Sequence, residues 1–132
     1  MIVIEDLKKK FEELPVLRGV NLTIEDGCTT AIIGGSGCGK SVLLKHIIGL
    51  LKPDSGSVLV DGDNIPQLPY PRLVEVRKKI GMVFQGSALF DSMTIEENMA
   101  MGLARHTKLA SADIKKRISE SLTMVGLAGV EP

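Results

Sequence analysis

Apolar and polar residues alternate over residues 20–25, the period of a half-buried strand. Residues 1–7 read as a strand before it, and Asp26-Gly27 as a turn after it. Cys28-Thr29-Thr30-Ala31-Ile32-Ile33 does not alternate. It is short, apolar and β-branched, which predicts a buried strand of a parallel sheet. Residues 42–51 are apolar around most of a helical circumference and predict a buried helix closed by Pro53. Residues 57–60 predict a strand ended by Asp61-Gly62. Pro66, Pro69 and Pro71 mark a loop, and residues 72–77 one or two helical turns. Ile80-Gly81-Met82-Val83-Phe84 predicts another buried strand, with Gln85 at its C-terminal end. The pattern then turns helical. Thr94-Ile95-Glu96-Glu97 is a capping box, in which Thr and Glu three apart satisfy each other's amides. Ser111 is expected to cap a second helix, with Asp113 in its first turn. Ile114, Ile118, Leu122 and Val125 fall on one face of it, and Gly126 ends it.

Between the buried strand and the first helix lies Gly34-Gly35-Ser36-Gly37-Cys38-Gly39-Lys40-Ser41. This fits the phosphate-binding pattern of Gly, four residues, Gly, Lys, Ser. Leaving a strand and opening a helix is the placement its chemistry needs. Glycines let backbone N–H groups turn inward and approach an anion without Cβ clashes. The helix N-terminus adds partial positive charge at the same point. Lys40 offers a point charge to the β- and γ-phosphates and is the candidate catalytic residue of the loop. Ser41 offers its hydroxyl to Mg²⁺.

Composition narrows the function classes. The 132 residues make at most one domain with a modest core. Sixteen basic and sixteen acidic residues cancel, so the basic excess of a nucleic-acid binder is missing. No apolar run is long enough to predict a membrane-spanning helix, and the N-terminus lacks a signal-peptide layout. Two cysteines, one inside the loop, make no disulfide framework. A cytoplasmic chain is expected. Asn21-Leu22-Thr23 matches a glycosylation sequon but falls in a predicted strand. Lys8-Lys9-Lys10 and Lys115-Lys116-Arg117 read as solvated surface.

Taken in order, Phe11 and Leu17, the phosphate loop, Lys52-Pro53-Asp54-Ser55-Gly56, Val60-Asp61-Gly62 and Ile80-Gly81-Met82-Val83-Phe84-Gln85 resemble the ATP-binding subunit of ABC transporters. The resemblance covers essentially the whole chain. It implies an α/β fold, the P-loop NTPase of ABC type. A RecA-like core with an N-terminal antiparallel β subdomain would fill residues 1–93, and the start of a helical subdomain residues 94–132. It implies ATP and Mg²⁺ as ligands. Phe11 would stack on adenine, where the family more often has Tyr, and Val16 would touch the base. Gln85 would help bind Mg²⁺ and water, a second catalytic position that also senses the membrane partner. Val42 stands where many members have a second hydroxyl, so the α-phosphate would rely on its backbone N–H. Cys38 stands where Ser is commoner, and its alkylation is expected to weaken ATP binding while bound ATP protects it. The implied partners are a second copy, arranged head to tail around two ATP molecules, and a transmembrane permease. The implied place is the cytoplasmic face of the inner membrane. Phe84-Gln85-Gly86-Ser87-Ala88-Leu89-Phe90-Asp91-Ser92-Met93-Thr94 is similar to the ATPases of Mla-type phospholipid-trafficking transporters, which work with MCE-domain lipid-binding proteins.

The family's Leu-Ser-Gly-Gly-Gln signature, its aspartate–glutamate pair and its switch histidine have no counterpart in these residues. His46 reads as a structural residue of the loop helix, and His106 as a helix-end or loop residue. The expectation is the N-terminal half of an ATPase, truncated, binding ATP–Mg weakly alone without appreciable hydrolysis. It should also expose apolar surface that the other half would cover. Two readings stay open beside lipid transport: an ATPase for another importer or exporter, and a non-hydrolysing nucleotide-binding half-domain. Neutral charge and the residue 88–94 string weigh against a non-transport ABC ATPase.

Overall fold

A long antiparallel hairpin organises the first part of the chain. Strand β1 (Ile2–Phe11) reverses at Glu12-Glu13 into β2 (Leu14–Ile24), with Phe11 opposite Leu14 and Ile2 opposite Ile24. The strands run further than hydrophobic alternation predicts, because a lysine run, Pro15 and Gly19 interrupt the pattern. The register also shifts after Ile4, after Leu7 and after Lys9. Asp6 takes a φ of 43° at the first of these irregularities. Its N–H donates to Asn21 Oδ1 at 2.9 Å, and Asn21 Nδ2 donates to Gly19 O at 3.3 Å. The sequon asparagine is thus spent on satisfying a bulge.

The computed structural model describes residues 1–86 and 88–130. The chain divides into two units, Met1–Gly81 and Met82–Pro132. In the first, β3 (Ser55–Val60) pairs with β1 and β4 (Asp63–Asn64) with β3, all antiparallel, in the order β2-β1-β3-β4. Asp61 and Gly62 both have positive φ, the two-residue hairpin turn whose twist matches the flanking strands. Helix α1 (Lys40–Ile47) lays Leu43 and Ile47 against the sheet residues Ile4, Leu7, Leu17, Val58 and Val60, and His46 is buried as well. Ile65, from the turn after β4, and Val76, from α2 (Tyr70–Arg77), complete the cluster. Each such side chain contributes roughly 1.5–3 kcal/mol of burial energy.

The predicted end of α1 at Pro53 is corrected by Gly49. The helix stops at Ile47, Gly49 turns left-handed at φ 68°, and the chain leaves. Gly49 N–H donates to His46 O and Leu50 N–H to Lys45 O, which pairs the last carbonyls. Arg77 completes the cap, donating Nε to Ile48 O at 2.9 Å and Nη2 to Gly49 O at 2.8 Å. The helix is also only half-buried, with Leu44 exposed, and Leu50 beyond its end is exposed too.

The two buried parallel strands are not formed. Residues 28–33 and 80–84 are irregular, and Ile33 is 92% exposed and Val83 96%. A parallel strand needs partners on its edges and cover on both faces, and no described strand pairs with either segment. Only Ile32 and Ile80 still touch the core. The antiparallel β part and the helical part of the expected architecture are both present.

In the second unit, α3 (Ile95–His106) starts at the predicted capping box. Glu97 N–H donates to Thr94 Oγ1 at 3.2 Å, and Thr94 N–H to Glu97 Oε2 at 2.9 Å. Helix α4 (Ser111–Met124) packs on α3 through Ile118 and Leu122. Two details differ from expectation. Ser111 is the first helical residue and does not cap, since the N-cap is Ala110. Val125 lies past the helix end and is 68% exposed, because Gly126 reverses the chain there.

A Cβ at Gly49 would meet Leu73 Cδ1 at 2.9 Å and Ile65 Cγ2 at 3.0 Å, in a left-handed conformation that alone disfavours side chains. Gly49→Ala should therefore destabilise the chain by about 1–2 kcal/mol or more. A lowered urea midpoint with unchanged slope is the expected result.

Candidate functional site

The phosphate-binding sequence folds as a tight ring ahead of α1. Gly37 and Gly39 both have positive φ, at 74° and 100°, and α1 begins directly after Gly39. Gly39 is buried because it sits on β2. A Cβ there would lie 3.0 Å from Val16 Cγ1 and 3.1 Å from Leu17 Cδ2. The loop's last glycine therefore fixes Val16 beside the ring. Lys40 folds back over the ring, with Nζ donating to Gly34 O at 2.8 Å and Gly35 O at 2.7 Å. Cys38 Sγ lies 3.7 Å from the same ammonium. It also lies only 2.7 Å from where a Cβ on Gly34 would be.

The donor set suits an anion. No side chain caps the N-terminus of α1, and no acidic residue stands in its first turn. The first amides of a helix have no partner within it, and here no carboxylate of the first turn offsets their field. Gly34, Gly35, Ser36, Gly37 and Cys38 are exposed, so the ring is open to solvent. Ser41, the second residue of α1, is also exposed, and Val42 packs partly into the core. A phosphate chain together with its divalent cation fits this arrangement of amides, one ammonium and one hydroxyl.

Phe11 ends β1 and is 42% exposed. The Lys9 ammonium lies over its ring, 5.6 Å from the centroid. Lys9 was expected in solvent, but its side chain is only 18% exposed and Nζ donates to Asp54 Oδ1 at 2.8 Å. Asp54 Oδ2 accepts from the Lys10 N–H at 2.7 Å. The Lys9 ammonium first, and then the Lys10 amide, hold the Asp54 carboxyl below the usual aspartate range. Sequence reasoning missed this pair because its members are 45 residues apart.

Gln85 lies in the second unit, exposed in a bend, without the strand expected before it. Ser87 lies outside the described residues. Asn98 holds the segment that follows. It accepts the Phe90 N–H at 2.8 Å and donates to Phe90 O, Met93 O and Thr94 O. His46 is 1% exposed, with Nδ1 2.7 Å from Val42 O and no partner for Nε2. It belongs to the packing of α1, and His106 ends α3. Both cysteines are free and exposed. Among the described residues, no helix is long and apolar enough to cross a membrane.

The family model described as ABC transporter matches residues 17–132. A probable ribonucleotide transport ATP-binding protein, mkl, of Mycobacterium tuberculosis is 41% identical over 130 residues, 98% of this chain and 36% of that protein. The intermembrane phospholipid transport system ATP-binding protein MlaF of Escherichia coli is 41% identical over 114 residues, 86% of this chain and 42% of that protein. Among solved structures, the ATP-binding cassette MJ0796, in a dimeric post-hydrolysis state bound to ADP and Pi, superposes with a TM-score of 0.86 at 33% identity. The match covers 99% of this chain and 60% of that one. The chain thus spans about two fifths of the length of these two curated relatives.

A carboxylate depressed in the folded state contributes stability above its unfolded pKa, and that stability is lost as pH falls through the folded value. Asp54→Asn should therefore lower Tm relative to the parent at neutral pH. The difference should close in acid, once the parent's Asp54 is protonated. Calorimetry of both chains from pH 7 to pH 2 checks this, and a constant difference would contradict the assignment.

Proposed function

This chain belongs to the ABC transporter family, and on that premise we propose that its glycine ring binds the phosphates of ATP with Mg²⁺. The observation that carries the reading is the uncapped N-terminus of α1, closed over by Lys40 with no acidic neighbour in its first turn. Lys40 exchanges its two carbonyl partners for phosphate oxygens, a shift from neutral acceptors to charged ones. The amides from Gly37 to Val42 take the remaining oxygens, and the Val42 N–H serves the α-phosphate. Ser41 would offer its hydroxyl to Mg²⁺, which would neutralise charge on the transferring phosphoryl group, and Gln85 is a second candidate ligand on the family resemblance alone. Phe11 stacks on the base and Val16 borders it.

The whole protein is then an ATPase subunit that dimerises, docks on a transmembrane permease at the cytoplasmic face of the inner membrane, and drives transport. We favour lipid as the cargo. The residue 88–94 string resembles Mla-type ATPases, and one relative is named for intermembrane phospholipid transport. Asn98 pins part of that string to α3, which makes it a defined surface element. On this reading an MCE-domain lipid-binding protein joins the assembly. Purification of the full-length protein from native membranes should bring down a permease and bound phospholipid. A permease without lipid would move the cargo assignment to another transporter class.

Lys40→Met should weaken ATP binding about 10- to 100-fold, the weight of a charge-assisted hydrogen bond. Fluorescent-nucleotide titration measures it, and equal affinity in both chains would sink the phosphate-site reading. ATP should also slow alkylation of Cys38 and leave Cys28, equally free and exposed, unchanged as an internal control.

A further inference from the structure

We propose that Lys9, anchored by Asp54, is a positioning residue for the Phe11 ring, covering one ring face and leaving the other to a purine. The inference rests on the nucleotide reading above and adds a residue to it. Three bonds fix the anchor. Asp54 N–H donates to Lys8 O at 2.9 Å, Asp54 Oδ2 accepts from the Lys10 N–H at 2.7 Å, and Asp54 Oδ1 accepts from Lys9 Nζ at 2.8 Å. A free lysine loses much rotamer freedom when it is ordered. Here the ion pair has already ordered it, so holding the ammonium over the ring adds little cost. The 5.6 Å distance to the centroid is within the range of a cation–π contact.

Phe11 needs such a support. It is the last residue of β1, at the hairpin turn, and is substantially exposed. An aromatic ring so placed can swing between rotamers, and ordering it would weaken stacking. An ammonium on one face holds the ring in place. It also draws ring electron density toward itself, which favours stacking of an electron-rich purine on the opposite face. Phenylalanine has no hydroxyl with which to fix itself, so the cation supplies what the ring lacks.

The contribution should appear in base recognition and not in phosphate recognition. In the full chain, ATP and inorganic tripolyphosphate are compared by displacement of a fluorescent nucleotide. Lys9→Met should weaken ATP about 2- to 5-fold, the weight of an exposed cation–π contact. Tripolyphosphate affinity should stay unchanged, which also reports an intact fold. Asp54→Asn should do the same, the double variant should be no worse than either single one, and Lys9→Arg should restore the parent ratio. If Lys9→Met leaves the ATP-to-tripolyphosphate ratio as it was while Phe11→Ala lowers it, the positioning role of Lys9 is wrong and the nucleotide reading stands. A parent chain that prefers ATP no more than tripolyphosphate removes the base role of Phe11 and this proposal with it. A parent that binds neither removes the phosphate-site reading as well.

Discussion

Gly39 carries a backbone angle of φ 100° and rests directly on Val16 and Leu17, with no room for one added methyl group. Three features follow from that contact. The chain enters α1 immediately afterwards, so the helix N-terminus opens at the ring. The helix starts against β2, which directs Leu43 and Ile47 into the core with Leu17. Val16, on the same strand, is held beside the ring. Chemistry and stability thus share one close approach. A substitution that loosened the packing of β2 would also misplace the loop's amides.

The opposite end of α1 is held by different means. There Gly49 reverses the chain, and Arg77 from α2 donates two hydrogen bonds to the Ile48 and Gly49 carbonyls just past the helix. The helix is only eight residues long, too short to persist in water on its own propensity. It exists because both termini are fixed from outside and one face is buried. Its free N-terminal amides are therefore a maintained feature, since the rest of the helix is secured elsewhere.

Much of what depends on neighbouring residues is legible in the sequence, although the cap expected at Ser111 falls one residue earlier, at Ala110. The phosphate loop, the Asp61-Gly62 turn, the Thr94–Glu97 box and the stop at Gly126 each involve contacts within a few residues. Even there, length misled. Apolar residues from 48 to 51 look like more helix, and only the position of Gly49 ends it. Features that need distant partners were not legible. The strands predicted at 28–33 and 80–84 have the right composition, but a strand is defined by what pairs with it. Residues 8–19 show the converse, a poor strand pattern held as strand, with register shifts, by its partner across the hairpin. Asp54 with Lys9 and Asn21 with Asp6 were hidden for the same reason, because bulges and ion pairs across a sheet leave no spacing to read.

The exposure of Ile33 and Val83 gains meaning beside the order of the phosphate ring. Ile33 immediately precedes Gly34, yet the ring is closed and anchored while the strand before it is unpaired. The ring is held from its C-terminal side, through Gly39 on β2 and through α1, and by Lys40 from above. These anchors are in place while residues 28–33 are unpaired. On the proposed reading, anion recognition would be built from backbone amides and one lysine that are held from the side of the antiparallel sheet. On the same reading, recognition of a base would depend on Phe11, a side chain at the free end of a hairpin, and so on the side chains around it. Lys9 and Asp54, which tie β1 to the start of β3, are the residues positioned to hold that ring.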